Sequence, residues 1–272
     1  MKVKKSKALA NLANAIISEN VHLLGRMIDS PVAMKNYVAK KHELPDGLPT
    51  IDILDLFPNF QETVDPFAYL EGGSTTLDLA ILKAFARNHP NCSYMEIGTW
   101  RGESLANVSS VAKRCVSVDL SERELSDFGY SDDMLKNCDF FSKNLPNVER
   151  IRHNSQTYDF SAYKKSFDLI FIDGDHSYEG VKIDTEKVFE LIRDDSSVIV
   201  WHDYGTTPER VRFEVLAGIL DGCPIDKRKN LYHISNTLCA VYIKGEFKTS
   251  GAIYQQIPKA RFSVKISSER LR

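Results

Sequence analysis

Five short β-prone runs recur along the chain: 93–97 (SYMEI), 114–118 (RCVSV), 148–152 (VERIR), 167–172 (FDLIFI) and 197–201 (SVIVW). Helix-patterned stretches lie between most of them, as over 178–193, where Val181, Val188 and Ile192 share one face. Strands that alternate with helices pack as a parallel sheet covered on both sides. Before the first run, Thr75 followed three residues later by Asp78 predicts a helix cap. Leu79, Leu82 and Ala86 continue that helix at the right spacing, and Pro90 ends it. After the last run, LYHISNTLCAVYIKG holds two β runs around Asn236-Thr237 and predicts a closing hairpin. The expected class is α/β, a Rossmann-like sheet of five parallel strands plus a C-terminal hairpin.

Composition narrows the function classes. With 35 basic and 37 acidic residues the net charge is −2, so nothing pulls the chain toward nucleic acid or an anionic membrane. No run approaches the roughly 18 apolar residues of a membrane span. The start, MKVKKSKALANLANAII, is basic and then apolar, but Asn11 and Asn14 interrupt it and no A-x-A site follows. It reads as an amphipathic helix, not a secretory leader. The five cysteines form no CxxC pair and are expected to be reduced thiols of a cytoplasmic protein.

One turn stands out. In YMEIGTWRGES a strand runs into Glu96-x-Gly98-x-x-x-Gly102 and a helix begins near Glu103. Glycines there permit positive φ and a close approach of backbone to ligand, and a helix N-terminus offers unpaired N–H groups. The spacing is not the G-x-G-x-x-G of dinucleotide enzymes. The next strand ends in Asp119 (SVDLS), which can accept hydrogen bonds from both hydroxyls of a ribose, or cap the following helix.

YMEIGTWRGES, SVDLS, FIDGDHSYEGVKIDTEKVF and VIVWHDY together resemble the class I S-adenosylmethionine-dependent methyltransferases. The branch they resemble is the bacterial small-molecule and sugar O-methyltransferases with IDGDHSYEG and HDY segments, over roughly residues 68–245. The resemblance implies a seven-stranded sheet and S-adenosylmethionine as cofactor. It implies Glu96, Gly98, Thr99 and Gly102 around the methionine part, with Asp173 near by. Asp119 is implied on the ribose, and Ser155 or Gln156 on the adenine side. The chain departs from the family at RDDSS before the fifth strand, where a proline-glycine-glycine turn is common.

A second constellation follows the fourth and fifth strands: Asp173, Asp175 and His176, then His202 and Asp203. Carboxyl ends of strands line the ligand crevice of an open parallel sheet, so these groups should converge. Methyl transfer to oxygen needs the acceptor proton removed, which suits an imidazole. His202 is the preferred base because a strand-end residue is held rigidly, with His176 second and Asp173 assisting. The alternative is Mg2+ or another divalent cation on Asp173, His202 and Asp203, lowering the hydroxyl's pKa. Related metal enzymes carry an acid where His202 stands.

The expected activity moves a methyl group from S-adenosylmethionine to a hydroxyl of a small molecule, such as a sugar or glycosylated metabolite. A nicotinamide-dependent oxidoreductase and a non-catalytic cofactor-binding protein of the same fold are the alternatives. Partners are expected to be the acceptor and, for an oligomer, further copies of the chain, with no nucleic acid and no membrane. Residues 1–70 are expected to form a helical extension, 71–246 the methyltransferase domain and 247–272 a tail.

Overall fold

The structure, a computed structural model, describes residues 31–251 and 256–270. The expected N-terminal amphipathic helix lies outside them. Its centre is a nine-stranded sheet in the order β11-β1-β9-β10-β6-β5-β2-β3-β4. The five predicted runs are β2 (Ser93–Ile97), β3 (Arg114–Asp119), β4 (Val148–Arg152), β5 (Leu169–Ile172) and β6 (Val198–Trp201), all parallel. The hairpin is β9 (Leu231–Ile234) and β10 (Ala240–Tyr242), with β10 inserted antiparallel between β6 and β9. These seven strands are the expected sheet. Two more were not anticipated: β1 (Thr50–Ile51) pairs parallel with β9, and β11 (Thr249–Ser250) pairs antiparallel with β1.

Every residue of β2, β5 and β6 is buried, as a sheet covered on both faces requires. On one face Met95, Ile97, Ile170, Ile172 and Ile199 pack against α7 (Tyr178–Val188), α8 (Phe213–Gly222) and Val38 of α1 (Pro31–His42). On the other, Tyr94, Leu169, Phe171 and Val200 join Ile81, Leu82 and Phe85 of α3 (Thr76–Asn88) and Leu105 of α4 (Glu103–Ser109). Alternate residues of one strand thus serve opposite faces. The short helices α2 (Ile53–Leu56), α5 (Glu122–Asp127) and α6 (Asp132–Leu135), the ribbon of β7 (Gly205–Thr207) and β8 (Arg210–Val211), and two 3-10 turns at Ser161–Tyr163 and Ile225–Asn230 complete the described elements.

Local chemistry sets the ends. Thr75 and Asp78 form a reciprocal capping box at α3, and Ser121 with Glu124 does the same at α5. At the RDDSS departure, Asp194 Oδ1 accepts from the Ser196 amide at 2.8 Å and its hydroxyl at 2.6 Å, so a side chain shapes the turn. Four of the five free cysteines are buried, and burial pushes the Cys92 thiol up to about 12. No helix among the described residues is long and apolar enough to cross a membrane.

Candidate functional site

The glycine turn leaves β2 at Ile97 and enters α4 at Glu103. Gly98 and Gly102 have φ of +84° and +81°. A Cβ on Gly98 would stand 2.2 Å from the Asp173 carbonyl oxygen, and one on Gly102 2.3 Å from Ser142 Oγ. The bare backbone is therefore used against other protein segments. Gly98 lets the turn lie directly on the end of β5, and that contact brings Asp173 beside it.

Asp119, at the tip of β3, faces the same turn. Its Oδ2 accepts from the Thr99 amide at 3.2 Å and its Oδ1 from the Leu120 amide at 2.8 Å. Burial raises its pKa against the pull of these amides and of Arg152. Each oxygen keeps a further lone pair, which is what a vicinal diol needs. Thr99 is buried, its hydroxyl hydrogen-bonded to Ser117 Oγ at 2.6 Å.

Glu96, expected around the methionine part of the cofactor, lies beneath the turn. It is fully buried behind the turn, accepting from Tyr94 Oη at 2.5 Å and Ser104 Oγ at 3.0 Å. Burial pushes its carboxyl up to about 8, against those donors. It braces the turn from below.

Residues 68–74 strap the turn from the other side, which sequence reading missed. Arg101 is buried and donates through Nη1 to the Glu71 carbonyl at 2.7 Å, with Nε 3.3 Å from Glu103 Oε2. Glu103 Oε1 accepts the Ala68 amide at 3.0 Å. Ser155 and Gln156 lie on the loop after β4. Lys187 of α7 holds that loop by donating to the carbonyls of Ser155 (2.8 Å) and Tyr158 (3.0 Å).

The second constellation converges, with one exception. Asp175 accepts from the Ser177 amide at 2.8 Å and Ser177 Oγ at 2.9 Å, so it serves the start of α7 and leaves the cluster. Asp173, His176 and Asp203 each place a ligand-capable atom within 4.8 Å of the others. His176 Nε2 is 3.2 Å from Asp203 Oδ2. His202 sits behind them, buried. Its Nδ1 lies 3.0 Å from Asp173 Oδ1 and 3.5 Å from Asp203 Oδ2, and its Nε2 3.3 Å from Asp78 Oδ2. Ser74 Oγ donates to Asp173 Oδ2 at 3.3 Å.

Charge follows from this packing. Burial opposes a charged His202, but Asp173, Asp203 and Asp78 outweigh it and hold its pKa well above the usual imidazole value. Burial opposes the Asp203 charge too, yet His202, His176 and Arg212 hold that carboxyl down at about 2. Both ring nitrogens of His202 face carboxylates, Asp173 and Asp203 on one side and Asp78 on the other, so it stands behind the cluster, and it is His176 that joins Asp173 and Asp203 in the ligand-capable trio.

Asp78 was read only as a cap, and it does more. It has no exposed surface, and beyond Thr75 and His202 it accepts the Leu238 amide at 3.0 Å. It joins α3, the end of β6 and the turn of the hairpin. A cavity lies elsewhere, near the amino ends of β2 and β3, lined by His89, Lys113, Arg114, Lys165 and Arg193. None of the site residues borders it.

Residues 95–204 match the family model of a methyltransferase domain, less than half of the chain. No curated protein matches the chain. Among solved structures it is similar to the YcgJ protein of Bacillus subtilis (17% identity, 47% of this chain and 50% of that one, TM-score 0.36). It is likewise similar to a putative methyltransferase of Bacillus halodurans C-125 (18%, 49% and 53%, TM-score 0.38). A third is CalS11, a TDP-rhamnose 3'-O-methyltransferase of calicheamicin biosynthesis (14%, 62% and 78%, TM-score 0.41). The chain spans about half the length of the first two.

Proposed function

We infer that the chain transfers a methyl group from S-adenosylmethionine to a hydroxyl of a small molecule, with a sugar or glycosylated metabolite as the acceptor class. The observation that carries this is the Asp119 carboxylate set across the glycine turn, with the polar cluster at the ends of β5 and β6 on the turn's other flank. The methyltransferase-domain match over 95–204 supports it.

The residues fit the cofactor. Asp119 would take the ribose hydroxyls, Ser155 or Gln156 the adenine side, and the backbone of Gly98–Gly102 with Thr99 and Asp173 the methionine end. When bound, S-adenosylmethionine supplies an electrophilic methyl on a sulfonium. The chain must orient the acceptor oxygen and remove its proton. With Nε2–H of His176 donated to Asp203 Oδ2, Nδ1 is the atom left to receive that proton. His202 keeps Asp203 oriented and ionised, so the imidazolium formed at His176 has a fixed counter-charge.

Calorimetry with S-adenosylhomocysteine tests the cofactor assignment. Binding is expected for the wild type, and Asp119→Ala should weaken it by about 1.5–3 kcal/mol. A folded protein that ignores S-adenosylhomocysteine but binds a nicotinamide dinucleotide would defeat the reading. A second reading follows from the 4.8 Å trio: a divalent cation on Asp173, His176 and Asp203, activating the same hydroxyl. Turnover that stops on chelation and returns with Mg2+ or Mn2+ selects this route. Turnover that persists in chelator and collapses in His176→Gln selects the base.

A further inference from the structure

Residues 256–270 form an extended arm. They adopt no helix or strand, and the amide of Gln256 donates to Glu209 Oε1 of the β7–β8 ribbon at 2.9 Å. Beyond that bond, no hydrogen bond or ion pair joins 257–270 to the rest of the described chain. Phe262, Val264 and Ile266 alternate with polar residues, and Val264 and Ile266 are 71% and 67% exposed. Lys259, Arg261, Lys265 and Arg270 make the arm basic against a single acid, Glu269. Apolar side chains at alternate positions of an unpaired, extended, cationic segment are a costly thing to leave in water.

The complement is on the same molecule. Helices α5 and α6 and the residues after them expose Glu122, Asp127 and Asp132, and also Met134 and Phe140. The stretch is acidic: Glu122, Glu124, Asp127, Asp132, Asp133 and Asp139 against Arg123 and Lys136. Lys136 occupies Asp133, and Ser121 occupies Glu124, which leaves Glu122, Asp127 and Asp132 without a cation among the described residues. The segment also covers the glycine turn. Tyr130 packs edge-on against Trp100 at 5.6 Å, and the Asp139 amide donates to the Trp100 carbonyl at 2.7 Å.

We propose that the arm of one copy docks on the α5–α6 segment of a second copy, its apolar side chains against Met134 and Phe140 and its cations against Glu122, Asp127 and Asp132. The arm lies exposed on its own chain, and its cations complement the unpaired acids of α5–α6, so the proposed occupant is the arm of a second copy. Reciprocal exchange gives a closed two-fold dimer in which each arm rests on the cover of the partner's glycine turn. This does not depend on the methyl-transfer reading, because both surfaces follow from exposure and charge alone.

Charge exchange tests it on the full chain. Light scattering should give twice the 30.8 kDa chain mass, with dissociation promoted by salt. K259E/R261E/K265E on the arm, and separately E122K/D127K/D132K on the segment, should each weaken dimerisation by at least about 10-fold. The six changes combined should restore it. A wild type that stays monomeric to about 100 μM overturns the proposal. So does a dimer indifferent to both sets, which would use another face. A monomer whose arm is protected from hydrogen exchange overturns it in favour of docking within one chain.

Discussion

A side chain's charge state here is decided by what lies behind it, and Glu96 shows this most clearly. Its carboxyl is fully buried and held up at about 8 by burial, whereas in the unfolded chain it titrates near 4.5. Between those values the folded state keeps a proton that the unfolded state releases. Stability from this group is therefore present below about 4.5 and is lost as pH rises toward 8. Glu96→Gln keeps the shape and can still bond Tyr94 and Ser104, so it should remove that loss. Melting from pH 5 to 9 should fall less steeply in Glu96→Gln than in the wild type, each kcal/mol amounting to about 2–4 °C for a domain of this size. Parallel curves would show that Glu96 is not titrating there. His202 presents the same lesson with the opposite sign: the sequence shows a histidine at a strand end, but its three carboxylate neighbours come from α3, β5 and its own strand. That environment holds the imidazole's pKa well above its usual value. No spacing in the sequence could have indicated it, because Asp78 lies 124 residues away.

Elements position the site through two close approaches that only glycine permits. Gly98 sets the β2–α4 turn on the backbone of Asp173 and Gly174, while Gly102 sets the start of α4 on Ser142. Gly129 also has a positive φ, +93°, but a Cβ there meets nothing within 4 Å. The pair separates backbone strain from clash. Gly129→Ala should cost only the left-handed penalty, about 1–2 kcal/mol. Gly98→Ala should cost that plus a further 1–3 kcal/mol, roughly, for forcing β5 away, and should displace Asp173. Equal losses in urea unfolding would mean that the turn yields easily and that the contact does not register the site. At this scale the sequence was informative wherever period and cap coincide. The five parallel strands, the α3 capping box and the hairpin all follow from local patterns a few residues long. The two-residue strands β1 and β11 do not, since a run that short has no period: β1 forms on the ladder that the edge of β9 offers, and β11 on the one that β1 then offers. The strap of residues 68–74 was equally illegible: its hold on Arg101 and Glu103 uses backbone carbonyls and amides, which every sequence has.

Across the whole molecule, the segment before the sheet is fastened by a polar clamp as well as by apolar packing. Val38 of α1 enters the core, but the helix's last turns converge on one carboxylate of α8, Asp221. Its Oδ2 accepts from Tyr37 Oη at 2.5 Å and from Tyr178 Oη at 2.7 Å, while Lys41 Nζ and His42 Nε2 stand 2.8 and 2.9 Å from Oδ1. Burial opposes the charge, yet Lys41, Tyr37 and Tyr178 hold Asp221 well below the ordinary carboxylate range. A depressed acid contributes stability that is complete above its unfolded pKa, near 3.9, and that is lost as pH falls toward the folded value. His42 adds to the same trend: burial lowers its pKa, so stability also declines as pH falls below about 6.5. Asp221→Ala strands donors on two helices, α1 and α7, and should cost about 1–3 kcal/mol. The loss should be local. In hydrogen exchange at pH 7 the amides of α1 should open faster while β2, β5 and β6 keep their protection, because Asp221 touches the sheet nowhere in its bonded set. If the sheet loosens in step with α1, the clamp is part of one cooperative core and α1 has no independent opening. If neither changes, the apolar contacts through Val38 hold the helix unaided, and the convergence of four donors on one carboxylate has no energetic weight.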